Sequence, residues 1–155
     1  MILRMLPLVA ACLLAAHAQS AGGLQPPKPD LPYLKHADNL LPTEMVQAQE
    51  QKKKDESTFV IAGESSSAKT PLALPIFLFQ SEKIPVDSLQ LFRLDVKNGH
   101  REITMGKKGP EAIRLQVTPL AGKLYRIEVY NELDAGEYSL SPSNSNVAFC
   151  FEVIN

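Results

Sequence analysis

The 155-residue chain has no tryptophan, only two cysteines and only three histidines. Two cysteines cannot build a disulfide framework, and so few thiols and imidazoles cannot assemble a Cys/His zinc cluster. Excess charge of one sign is missing too: sixteen basic residues meet seventeen acidic ones, a formal net charge of −1. No overall field draws phosphate backbones or anionic lipid, so nucleic acid is not an expected partner. After the N-terminal segment, no apolar run approaches the roughly 20 residues of a bilayer span. The chain also lacks a Gly-x-Ser-x-Gly elbow, a His-Glu-x-x-His pair and a phosphate-binding glycine loop. No catalytic residue, cofactor or metal site is therefore expected.

What is present begins with an export signal. Residues 1–18 read MILRMLPLVAACLLAAHA, with one positive charge at Arg4, a short apolar stretch, and Ala16-His17-Ala18 as a small-x-small site. This is the pattern of a secretory leader cleaved after Ala18, and a short leader with a single Arg fits bacterial export to the periplasm or beyond. Val9-Ala10-Ala11-Cys12 offers a competing reading as a lipoprotein box with Cys12 lipidated. It ranks lower, because it would leave Leu13, Leu14, Ala15 and Ala16 as an apolar start. Cleavage after Ala18 leaves Cys150 as the only thiol, with His36 and His100, so no intramolecular disulfide can form.

Residues 19–42 carry Pro26, Pro27, Pro29, Pro32 and Pro42, which excludes a regular helix or a central strand. An extended proline-rich arm is expected, its half containing Leu31, Tyr33, Leu34, Leu40 and Leu41 lying against the domain. Residues 43–57 are charged. EMVQAQEQKKKDE reads as a short helix with a Glu50–Lys54 i,i+4 pair, or alternatively as a hairpin with residues 45–49 against 57–61. Lys52, Lys53 and Lys54 are offset by Glu50, Asp55 and Glu56 and read as a solvated surface.

From residue 58 to 155, short apolar runs alternate with turn residues every 8 to 12 positions, the spacing of an all-β sandwich or barrel. Ile113, Leu115 and Val117 share one parity, as do Tyr125, Ile127 and Val129. Asn98-Gly99 predicts a two-residue hairpin turn. Eight strands are expected, within 59–62, 76–79, 89–96, 101–105, 113–118, 125–130, 138–140 and 147–153. The stretch 76–79 is apolar at both parities, so both its faces should be covered, the second by the arm. Phe149 and Phe151 fall on the core parity of the last strand and Cys150 on the other.

Between two of these strands stands Asp134-Ala135-Gly136-Glu137-Tyr138. Its Asp-x-Gly-x-Tyr core resembles the tyrosine corner of immunoglobulin-like β-sandwiches, in which a Tyr opening the penultimate strand bonds back to the turn backbone. The closing LDAGEYSLSPSNSNVAFCFEV is similar to the end of sandwich domains in exported bacterial proteins of unknown function. The resemblance implies an immunoglobulin-like sandwich over residues 58–155 and no particular activity. It departs from antibody domains in having no paired Cys and no Trp.

The remaining candidates for chemistry have structural readings. His100 sits in a hairpin turn and His36 in the arm, with no motif-level partner. Glu128 and Glu132 are a pair that any acid-rich chain contains. Cys150 reads as a small hydrophobe partly covered by the arm, the sharper reading being a reactive or intermolecular thiol. Tyr138 and Gly136 fix a turn. The expectation is an exported, non-enzymatic accessory or interaction module acting on a protein or envelope component. Two other classes stand beside it: a small exported enzyme or thiol-redox protein, and a cell-envelope subunit that uses strand-edge pairing.

Overall fold

The computed structural model describes residues 23–154. The expected leader, with its expected cleavage after Ala18 and the competing Cys12 box, lies outside the described residues. Thirteen strands follow one another: β1 (Tyr33–His36), β2 (Asn39–Pro42), β3 (Glu44–Gln47), β4 (Gln49–Lys53), β5 (Glu56–Ala62), β6 (Lys69–Thr70), β7 (Ile76–Gln80), β8 (Leu89–Lys97), β9 (His100–Met105), β10 (Leu115–Pro119), β11 (Leu124–Val129), β12 (Gly136–Pro142) and β13 (Val147–Val153). One 3₁₀ turn at Val86–Ser88 precedes β8, and the described residues contain no α-helix. The chain is all-β.

Each of the eight expected runs contains a strand; those at 115–118 and 125–129 alternate apolar and polar residues with the two-residue period of a pleated sheet, whereas 59–62 and 76–79 are apolar at both parities. The Asn98-Gly99 turn takes positive φ at both positions, 52° and 81°, and pairs Lys97 with His100. That is the left-handed geometry of a two-residue turn, which matches the twist of the flanking strands.

Two sheets result. One runs β10-β11-β7-β1-β2. The other runs β3-β13-β12-β8-β9-β5-β4, with β6 added parallel to the end of β13. They share one core. Phe77 and Phe79 of β7 and Ile127 of β11 meet Leu91 of β8, Leu140 of β12, and Phe149 and Phe151 of β13. Phe77 and Phe151 contact edge to face at 5.0 Å.

The second sheet curls. Its end strands β3 and β4 are consecutive, separated only by Ala48, so one stretch, residues 44–53, pairs with β13 at one end and with β5 at the other. Glu44, Val46, Ala48 and Glu50 point inward, as the registers Val46↔Ala148, Glu44↔Cys150 and Glu50↔Phe59 require. Strands β12 and β13 thus face two ways. Tyr138, Leu140, Phe149 and Phe151 enter the core between the sheets, while Ala148 and Cys150 join Ala48, Ile61 and Leu94 in a second apolar cluster inside the curl.

Two expectations need correction. The helix over EMVQAQEQKKKDE gives way to β3 and β4. Burying Val46 and Ala48 inside the curl outweighs the helix support of a Glu50–Lys54 pair, and Glu50 instead accepts a bond from the Ser57 hydroxyl across the hairpin at 2.8 Å. The observed hairpin also has a different register from residues 45–49 against 57–61, since Gln49 pairs with Val60. Residues 33–42, within the proposed arm, are not a loose extended cover. They form the β1–β2 hairpin, and β1 pairs with β7 through Tyr33↔Leu78 and Leu34↔Phe77. Leu78, on the outer face of β7, is flanked by its cross-strand neighbours Tyr33 and Arg126.

Candidate functional site

The curl encloses a cavity because one ladder is incomplete. Strands β8 and β9 leave their turn paired from Lys97↔His100 to Asp95↔Glu102, and there the pairing stops. Beyond it Gln90 and Phe92 lie on one side and Ile103 and Met105 on the other, bounding a cavity of ≈ 520 Å³. Its deeper wall is apolar, from Ala48, Phe59, Ile61, Leu94 and Ala148. Its opposite wall is polar and uncharged. Ser139 and Ser141 of β12 face in, and the β12–β13 loop adds Ser143, Asn144, Ser145 and Asn146.

That polar wall is held in place by backbone bonds. Ala48 N donates to Asn146 O at 2.7 Å, and Ser143 N donates to Ser88 O at 2.8 Å. Asn144 takes φ of 57°, a conformation asparagine tolerates better than most residues. The Ser139 and Ser141 hydroxyls bond to each other, and Val147 N donates to Ser145 Oγ at 3.1 Å.

A charged cluster closes the far end of the curl. Arg101, 1% exposed, points inward from β9. Its Nε donates to Gly63 O at 3.0 Å, Nη2 to Ala62 O at 2.8 Å and to Glu44 Oε1 at 3.0 Å, and Nη1 to Ser66 Oγ at 2.7 Å. Glu137, 4% exposed, lies 3.7 Å from Nη1 and accepts from the Ser66 amide at 2.9 Å and from the Ser66 hydroxyl. Burial alone would lower the Arg101 pKa, but the bond to Glu44 and the nearby carboxylates outweigh it and hold the guanidinium charged. Buried charges persist when they are paired and bonded in this way.

Cys150 lies beside this cluster, fully buried. Burial pushes its thiol up to about 12, opposed only in part by Arg101. Its cover is β3, opposite Glu44, and not the proline-rich arm. The histidines are apart. His36 ends β1, with Nε2 2.9 Å from Thr70 Oγ1, whereas His100 opens β9, with Nε2 2.7 Å from Glu102 Oε2. The Glu102 carboxyl is held low by its bond to Lys97, with His100 adding to the effect. Glu128 is bonded to Arg126 at 2.9 Å, and Glu132 is exposed beyond β11. Lys52, Lys53 and Lys54 are exposed. Among the described residues, no group of three or more His, Cys, Asp or Glu side chains is arranged to hold a metal ion, and no helix is long and apolar enough to cross a membrane.

At the corner, the Tyr138 hydroxyl donates to Asp134 O at 2.8 Å. Arg93 braces the same turn, donating to Ala135 O at 2.9 Å and to the Tyr138 oxygen at 3.3 Å. A Cβ on Gly136 would stand 2.8 Å from Arg93 Nη2, and the backbone there has φ of 153°, so the turn needs glycine.

The cavity and the Arg101 cluster are absent from the sequence reading. Arg101 shares parity with Ile103 and Met105, so a strict alternation over β9 would have turned it inward. The cavity itself depends on the sheet curling, for which no local signal exists. Comparison with protein-family models, with curated proteins and with solved structures finds no match for this chain.

Proposed function

We propose that this protein is an exported, non-enzymatic binding module that captures its ligand in the mouth of the curled sheet. The carrying observation is the ≈ 520 Å³ cavity with one apolar and one hydrogen-bonding wall. Small-ligand sites have this size and this division of polarity, and the mouths of curled sheets and barrels are among their usual places. An immunoglobulin-like β-sandwich entered by a proline-rich N-terminal segment is the architecture that goes with this reading. Support for it comes from the Tyr138–Asp134 bond and the core between the two sheets. The buried, protonated Cys150 and the separation of His36 from His100 favour binding over thiol-redox or acid–base chemistry.

Export rests on the leader pattern of residues 1–18. Protein recovered from the periplasm of a bacterial host should begin at Gln19, and a lipidated Cys12 start would replace that reading. Binding is tested with N-phenyl-1-naphthylamine, an uncharged dye that brightens in apolar surroundings. Saturable binding is expected, weakened at least tenfold by Ile103→Trp and by Ser141→Phe, which fill the cavity from opposite walls. Circular dichroism melts confirm that each variant is folded. A wild-type protein with no saturable dye binding, or folded variants of both kinds that bind as wild type does, would overturn the proposal.

A further inference from the structure

The geometry points to a ligand of one chemical class: an uncharged amphiphile, with an aliphatic or aromatic body and a hydroxyl or amide head. This inference rests on the binding reading above and adds the identity of the head group to it. Size sets the first condition, since a cavity of ≈ 520 Å³ accepts a body of the order of ten to twenty heavy atoms. Polarity sets the second. The body would pack on Phe59, Phe92 and Ile103, and the head would meet the serines and asparagines opposite. Hydroxyls and amides offer both donors and acceptors, which suits a head group that also does both.

Charge sets the third condition and decides the class. Among the described residues Glu50 is the only ionisable side chain lining the cavity, and it already has partners. Its Oε1 accepts from the Ser57 hydroxyl at 2.8 Å and lies 3.8 Å from Lys52 Nζ. Arg101, the nearest buried cation, is not a lining residue, and its Nε and both Nη atoms donate to protein acceptors. A carboxylate head would therefore lose water without gaining a counter-charge, and an ammonium head would find only Glu50, shared with Ser57 and Lys52, costs that an alcohol or amide does not carry.

The test is displacement of bound N-phenyl-1-naphthylamine by three molecules with one ten-carbon body, 1-decanol, decanoate and decylammonium, at pH 7.5 and 0.15 M salt. We expect 1-decanol to displace the dye at a concentration at least tenfold below either charged analogue, and Ile103→Trp to abolish that displacement. Equal potency of all three, or no displacement by any of them, overturns the uncharged class while leaving dye binding intact. Preference for decylammonium overturns it in favour of Glu50 as the head-group partner, and preference for decanoate in favour of a cation at the mouth. A wild-type protein that does not bind the dye at all removes the binding reading, and this inference with it.

Discussion

Replacing Arg101 by methionine keeps a long flexible stem inside the curl and removes the charge together with its N–H donors. In the native protein those donors hold the carbonyls of Ala62 and Gly63, the Ser66 hydroxyl and the Glu44 carboxylate. Without them Glu137, 4% exposed, keeps only the Ser66 amide and hydroxyl, and two carboxylates share that end of the curl with no cation between them. Removing one partner of a buried pair costs about 3–5 kcal/mol, against a total stability of about 5–15 kcal/mol for a domain. With an m-value of about 1–3 kcal/mol/M in urea, the midpoint falls by at least about 1 M. Far-UV circular dichroism is the suitable probe, since the chain has no tryptophan. One further result distinguishes an orphaned charge from lost packing. Adding Glu137→Gln to Arg101→Met should recover part of the loss. A loss below about 1 kcal/mol, or a double variant no more stable than the single one, would refute this account of the cluster.

Tyr138→Phe removes the bond to Asp134 O and should cost about 1–2 kcal/mol in a urea melt while leaving dye affinity unchanged. The Cys150 thiol should resist iodoacetamide in native protein at pH 8 and react once urea unfolds the chain; labelling of the native form within minutes would contradict its burial. Because the folded thiol titrates near 12 and an unfolded one near 8.5, its stabilising effect is complete below the lower value and is lost as pH rises towards the upper. The stability advantage of wild type over Cys150→Ala should accordingly shrink above about pH 9. At the acid end, Asp30 accepts the amides of Glu82, Lys83 and Ile84 at 2.9 Å from its Oδ1. Burial raises the Asp30 pKa, but these three bonds outweigh it and hold the carboxyl below its usual range. Its contribution is present above about pH 4 and is lost as pH falls through the depressed value, so Asp30→Ala should flatten the acid limb of the stability profile.

The legible part of the fold was the part written in period two. Ile113 to Val117 and Tyr125 to Val129 alternate cleanly; Ile113, Leu115, Tyr125, Ile127 and Val129 meet the core, although Val117 at the end of its run is exposed, and the Asn98-Gly99 turn needs no tertiary help. The missed strands were hidden for identifiable reasons. In β1 and β2 the prolines look like breakers, yet Pro32 precedes one strand and Pro42 ends the other, positions where no interior ladder bond is lost. In β3 and β4 the inward residues are Glu44, Val46, Ala48 and Glu50, of which only two are apolar, so the alternation is masked by carboxylates that find Arg101 or Ser57 only in the folded chain. The cavity is harder still. It arises from where β8 and β9 stop pairing: β8 stays bonded to β12 along its other edge, and beyond the β9 ladder Leu91 O accepts the amide of Ile113 instead.

The double membership of residues 44–53 has a kinetic meaning. Gln49 can meet Val60 as soon as a short hairpin closes, but Gln47 must wait for Val147, about a hundred residues downstream. Contacts of such separation slow folding, since chain entropy is lost long before the contact returns any energy. The half-finished curl would leave Ala48, Ile61 and Leu94 open to water until the last strand arrives. Ring closure is therefore the step at which this chain commits, and a pulse of hydrogen exchange during refolding should find the β4–β5 amides protected well before those of β3.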